Sequence, residues 1–115
     1  MTRFAVDGRI RLAIELALTA EGDDELQRGQ QDAAGRRLGM SIADVDAARR
    51  GWSLDVRISA AIALAMAWAD GDAARLKNRR ERAARAGIGE GGRREIEAVA
   101  ELVAGRLRGR GERRV

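Results

Sequence analysis

The chain has 115 residues, enough for one domain with a core but not for two. It contains no cysteine, histidine, proline or tyrosine, so it can form no disulfide, no thiolate nucleophile and no Cys/His metal site. The formal net charge of +4 is unevenly spread: residues 1–72 carry a net −3, residues 73–115 a net +7, and Lys77 is the one basic residue that is not arginine.

Without histidine, the usual general base near neutral pH is missing. Acid–base chemistry would fall to carboxylates, Lys77 or arginine-held water. Neither a cofactor nor a metal is expected. Alanine contributes 23 residues, and the only aromatic groups are Phe4, Trp52 and Trp68. So small an apolar bulk predicts a thin core that a second subunit completes, hence a homo-oligomer. The N-terminal stretch has no signal-type apolar region. The longest apolar run, residues 60–69, falls far short of the roughly 20 residues that span a membrane. A soluble, cytoplasmic protein with no membrane partner is expected.

In chain order, Asp7 caps a first helix over residues 8–20. Ile10, Ala13, Ile14, Ala17 and Leu18 fall on one face, and Leu12 and Leu16 widen it. Glu15 sits on this apolar helix, one turn from Arg11, as a candidate functional acid. Gly22 ends the helix. Asp23 or Asp24 opens the next, and Asp24 with Gln27 has capping-box spacing. That helix runs to Leu38 with Leu26, Ala33, Ala34 and Leu38 as a weak apolar side, and Gly39 stops it. Ser41, with Asp44 three residues on, caps a short helix, with Ile42 and Val45 facing inward, that ends at Arg49, Arg50 and Gly51. Trp52 is expected to plug the corner before Ser53 caps the next helix.

That helix, reaching Asp70, organises the chain. From Ala60 to Ala69 no residue is polar, and a helix apolar all round must be covered on all sides. Alanine combines high helix propensity with a narrow cross-section, so neighbours can come close. Gly71 ends it. Asp72 caps an arginine-rich helix over residues 73–86 that Gly87 stops. Gly87-Ile88-Gly89-Glu90-Gly91-Gly92 matches a dinucleotide-binding glycine string, but no strand precedes it, so it is taken as a helix stop and a turn. A last helix spans residues 93–108 with Ile96, Val99, Val103 and Leu107 in a stripe. Residues 109–115 form a basic tail with nothing apolar to hold it, expected to be disordered. A helix, a Gly-apolar turn and an acidic-apolar-acidic-Ala run occur twice, around Gly39 and around Gly87. These predict two helical hairpins flanking the central helix.

The phrase Arg36-Arg-Leu-Gly-Met-Ser-Ile-Ala-Asp-Val-Asp46, followed by Arg50-Gly-Trp-Ser-Leu-Asp-Val-Arg57, the alanine-rich helix and Ala84-Arg-Ala-Gly-Ile88, resembles the AhpD-like and carboxymuconolactone decarboxylase family over residues 8–107. The resemblance implies an all-α bundle of about six helices around the buried central helix, residues 1–108 as one domain, and assembly into oligomers. It also implies a site on the helix before the Leu-Gly-Met-Ser turn. Where peroxidase-type members carry Cys-x-x-Cys-x-x-x-His, this chain has Asp24, Gln27 and Gln31. A glutamine amide neither ionises nor changes redox state, and an aspartate cannot form a disulfide, so thiol peroxidase and disulfide reductase chemistry is excluded.

Three functions then compete. The leading one is a catalytically silent AhpD-like oligomer in which Glu15, Asp24, Gln27 and Gln31 line a degenerate pocket, empty of chemistry or binding a small polar ligand. The alternative is a module for nucleic acid or another acidic partner, with Arg75, Arg79 and Arg82 on one side of their helix joined by Arg106 and Arg108. The third is a cysteine-free enzyme using Glu15 with Asp24 as general acid and base.

Overall fold

The structure, a computed structural model, describes residues 4–22 and 24–112. All regular structure among them is helical: α1 (Gly8–Leu18), α2 (Glu25–Arg37), α3 (Ile42–Arg49), α4 (Val56–Asp70), α5 (Ala73–Arg85) and α6 (Glu90–Glu112). None of these helices is long and apolar enough to cross a membrane.

The α4 helix is the axis of the bundle and packs against α1, α5 and α6. Ala60, Ala61, Ile62, Leu64, Ala65 and Ala67 are fully buried, and nothing from Ile58 to Ala69 is exposed. Two apolar clusters meet across α1 and α4. The larger joins Ile10 and Ile14 to Leu64, Ile88, Ile96 and Val103. The smaller joins Leu12 and Leu16 to Val45, Ala48 and Ile62. The α1 helix is thus buried on two sides, as its wide apolar face requires.

Asp7, Asp24, Ser41 and Asp72 each cap a helix as the sequence predicts, but Asp24 and Gln27 do not form the reciprocal box their spacing allows: Asp24 accepts from Gln27 N–H with no return bond from the Gln27 side chain. Asp23 lies outside the described residues. The turns after α2 and α5 share one backbone pattern. Gly39 (φ 79°) and Gly87 (φ 91°) are left-handed. The next N–H in each case, from Met40 or Ile88, donates back to the carbonyl of Gly35 or Ala83, at 2.9 and 3.0 Å. The same stop follows α3, at Gly51 (φ 88°) with Trp52 N–H donating to the Ala47 carbonyl at 3.1 Å, so the echo between the two halves is a general helix stop. It does not extend to the helix that follows, because the second acidic-apolar-acidic run, at Glu95, lies well inside α6.

Several expectations fail at element edges. The α1 helix stops at Leu18, where Thr19 Oγ1 takes up the Glu15 carbonyl at 2.7 Å. The α4 helix is capped by Asp55 rather than Ser53. The Asp55 carboxylate accepts from the Arg57 and Ile58 N–H groups, while Ser53 Oγ accepts from Asp55 N–H. Trp52 does not plug the corner; it is 43% exposed. Leu26 and Leu38, expected on the apolar side of α2, are also exposed, and so is Ile42, expected to face inward from α3, whereas Val45 is buried. The α6 helix begins at Glu90, so Gly91 and Gly92 are helical, and it continues to Glu112 past the expected end at Arg108. A Cβ on Gly92 would lie 3.1 Å from Ile88 Cγ2 and 3.2 Å from Phe4 Cδ1, so this glycine lets the first turn seat on the core. Residues 113–115 of the expected tail lie outside the described residues.

Two glycines of α2 separate packing from propensity. Gly29 has open space around it, whereas a Cβ on Gly35 would sit 2.9 Å from Val45 Cγ2. Gly29→Ala is expected to stabilise the fold by up to about 1 kcal/mol. Gly35→Ala is expected to destabilise it, because overpacking against a stiff, buried valine costs about 1–3 kcal/mol and exceeds that gain. Urea unfolding of both variants measures the opposite signs.

The α3 cap yields a pH dependence. Asp44 and Ser41 form a reciprocal box: Ser41 N–H donates to Asp44 Oδ2 at 2.9 Å and Asp44 N–H donates to Ser41 Oγ at 3.0 Å. The Ser41 N–H, then the Ser41 hydroxyl, then the charge of Arg9 hold the Asp44 carboxyl below its ordinary pKa. The stabilisation is present above the unfolded-chain pKa and is lost as pH falls through the folded one. Asp44→Ala should therefore lower the melting temperature at about pH 7. The gap from the native chain should close as acid protonates Asp44, as followed by circular dichroism.

Candidate functional site

Of the four pocket candidates, three converge. Glu15 on α1 and Gln31 on α2 meet directly: Gln31 Nε2 donates to Glu15 Oε2 at 3.1 Å and to Thr19 Oγ1 at 3.0 Å. Gln31 is buried, the one buried polar side chain among the described residues. Its Oε1 faces Arg49 Nη2 at 3.5 Å, and the same guanidinium pairs with Asp32 at 2.9 Å. Arg106 of α6 approaches the other oxygen of Glu15 at 3.9 Å. Gln27 lies beside them, lining with Glu15, Thr19 and Arg106 a cavity of about 30 Å³.

Asp24 is not part of this group. It is the N-cap of α2, exposed, with its carboxylate accepting from Gln27 N–H at 3.0 Å. The pairing of Glu15 with Asp24 needed for acid–base catalysis is therefore not formed. Glu15 also makes its ion pair with Arg106, not with Arg11.

Thr19 and Arg49 complete the cluster and were not singled out from sequence. Thr19 follows Glu15 by four residues and so shares its helix face, a readable signal. The sequence places Arg49 only at the negative end of α3. Nothing local marks it as reaching across to α2, where it also donates to the Arg28 carbonyl at 3.3 Å.

The cluster explains how α2 is held. Its buried positions are Gln31 and Gly35 alone, so apolar burial contributes little there. Hydrogen bonds from α1 and α3 to one interior glutamine supply the attachment. Every buried side-chain polar atom among the described residues has a partner. That is the pattern of a structural polar contact, since leaving such a group unpaired costs about 1–3 kcal/mol.

The arginine set does not form one surface of free cations. Arg75 pairs with Asp70 at 2.9 Å, Arg108 with Glu101 at 2.9 Å, and Arg106 with Glu15. Arg79 donates to the neighbouring Asn78 side chain at 2.9 Å, and Arg82 is half-buried. Arg80, outside the predicted set, grips Glu97 with two hydrogen bonds, at 3.1 and 2.8 Å. Glu101 also accepts from the Trp68 indole at 3.0 Å. That bond first, and Arg108 second, hold its carboxyl below the ordinary range. No group of three or more acidic, histidine or cysteine side chains suited to a metal occurs among the described residues. No family model, curated protein or solved structure matches the chain.

The donor role of the Gln31 amide can be tested by reversing it. Gln31→Glu puts a second carboxylate against Glu15, and two like charges at that distance disfavour each other's ionisation. Arg49 and Arg106 offset part of this repulsion; the remainder raises the folded-state pKa of the pair above its unfolded value, so the variant loses stability as pH rises through the carboxylate range. A loss of about 2 kcal/mol is expected at neutral pH. Much of it should be recovered on acidification, as measured by urea unfolding at several pH values.

Proposed function

We propose that this chain is a catalytically silent, cytoplasmic, self-associating helical protein of the AhpD-like and carboxymuconolactone decarboxylase type. The interior position that serves redox chemistry in that family here attaches α2 to α1 and α3. One observation supports this reading above the others. Gln31, where the family's histidine would stand, is buried with its amide spent on Glu15, Thr19 and Arg49. The adjoining cavity of about 30 Å³ has room for a water molecule or so, whereas ligand pockets run to roughly 300–1,000 Å³. A filled, satisfied site favours the silent form of the hypothesis over the ligand-binding form. The nucleic-acid alternative draws less support, since Arg75, Arg106 and Arg108 each face a carboxylate of their own chain.

Purified protein supplied with an organic hydroperoxide and a dithiol should consume neither faster than a buffer blank. Peroxide turnover that scales with protein concentration would overturn the proposal.

A further inference from the structure

In a chain without cysteine the only sulfur is that of Met1, Met40 and Met66. Met1 lies outside the described residues. Met40 and Met66 are both half-buried, and both pack against the smaller apolar cluster, which contains Val45, Ala48 and Ile62. The larger cluster has no methionine among its described members. The two thioether side chains also bracket one element. Met40 lies in the connection just before α3, and Met66 reaches the turn that ends α3: a Cβ on Gly51 would sit 3.2 Å from Met66 Sδ.

Both residues line open grooves. Met40 lines two, of about 240 and 190 Å³, and Met66 lines a third of about 590 Å³ together with Arg49 and Arg50. A water molecule takes up about 30 Å³ of liquid, so a molecule as small as hydrogen peroxide enters any of them. The helix between the two thioethers depends on the cluster they edge. At 8 residues α3 is shorter than the roughly 12–15 that an isolated helix needs. It buries Val45, Ala47 and Ala48, and it packs against α1 and α2.

We propose that Met40 and Met66 form a paired oxidation site whose sulfoxides loosen α3 from the bundle. The oxidant is hydrogen peroxide. A thioether lone pair takes one peroxide oxygen: the S–O bond forms as the O–O bond breaks. The proton on the transferred oxygen passes to the departing one, and water leaves. Sulfur loses two electrons and the peroxide gains them. Uptake ends at one equivalent per thioether, so this is modification of the chain, not turnover, and it does not rest on the silent reading above. The product side chain is polar. At the edge of an apolar cluster its oxygen must find a donor or turn to water, and either movement withdraws it from the residues that seat α3. The larger cluster, without a thioether, keeps its packing. Reversal needs a methionine sulfoxide reductase, which returns the two electrons.

The test treats the full chain with hydrogen peroxide, locates the added oxygen by peptide mass mapping, and follows amide hydrogen exchange helix by helix. Met40 and Met66 should each gain one oxygen. Amides of α3 should then exchange about 10-fold faster, with those of α4 and α6 unchanged. Met40→Leu combined with Met66→Leu, a volume-conserving pair, should keep native helical circular dichroism and abolish the response, while Met1 remains as an internal measure of the oxidant. Treating the oxidised native chain with the reductase should restore α3 protection, a readout that needs no variant. Methionines that resist a peroxide dose sufficient to oxidise the urea-unfolded chain overturn the proposal. So does oxidation that leaves α3 exchange unchanged, that speeds α4 and α6 equally, or that acts the same on the folded double variant. Failure of the reductase to restore protection overturns it as well.

Discussion

The bundle depends on the narrowness of α4. Ala60, Ala61, Ala65 and Ala67 lose all solvent contact, and each puts only a methyl group between the α4 backbone and its neighbours. Three helices can therefore close around one axis at short range, where larger side chains would hold them off. The same choice limits what α4 can contribute to the core. Bulk must come from elsewhere, and it comes from Ile14 and Leu16 of α1, Ile88 before α6 and Ile96 within it. The peripheral helices receive little of it. The α5 helix buries Ala83 alone and is tied to α6 through Arg80 and Glu97; α2 is tied to α1 and α3 through Gln31.

What could be read from the residues follows from how local each determinant is. Helix starts at Asp7, Asp24, Ser41 and Asp72 were legible because a cap is a contact over two or three residues. Stops at Gly39 and Gly87 were legible because only glycine takes the left-handed conformation without penalty. The start of α4 was misplaced because Ser53 and Asp55 both have capping chemistry, and Asp55 is the one positioned to reach two N–H groups. The start of α6 was misplaced because Gly91 and Gly92 have poor intrinsic helix propensity. Tertiary packing of Gly92 under Phe4 and against Ile88 overrides that preference. The candidate cluster was half legible for the same reason. Glu15, Gln27 and Gln31 were found, but the arginine that completes the group comes from α3, a relation no spacing along the chain encodes.

The charge asymmetry is partly met by carboxylates of the same chain. The basic half carries a net +7 by count, and part of it faces carboxylates of its own and neighbouring helices. Asp70, Glu90, Glu97 and Glu101 each take one. Exposed pairs of this kind add at most about 1 kcal/mol each to stability. Their larger effect is on the field a partner would feel, because a cation already facing a carboxylate presents a dipole rather than a free charge to an incoming phosphate.

Interior and exterior then differ in what remains unsatisfied. Inside, the one buried polar side chain among the described residues has its hydrogen bonds made, and the cavity beside it is of water size. Substrate chemistry needs the reverse: a recess with polar groups held unpaired until a ligand arrives. Outside, the unmet requirement is apolar. A chain with few large side chains leaves Ile42, Leu54 and Val56 in water, each at a cost that burial would recover at about 25 cal/mol per Å². The apolar surface left over follows from an interior filled largely with methyl groups, and the polar cluster around Gln31 is spent on attaching α2 to its neighbours.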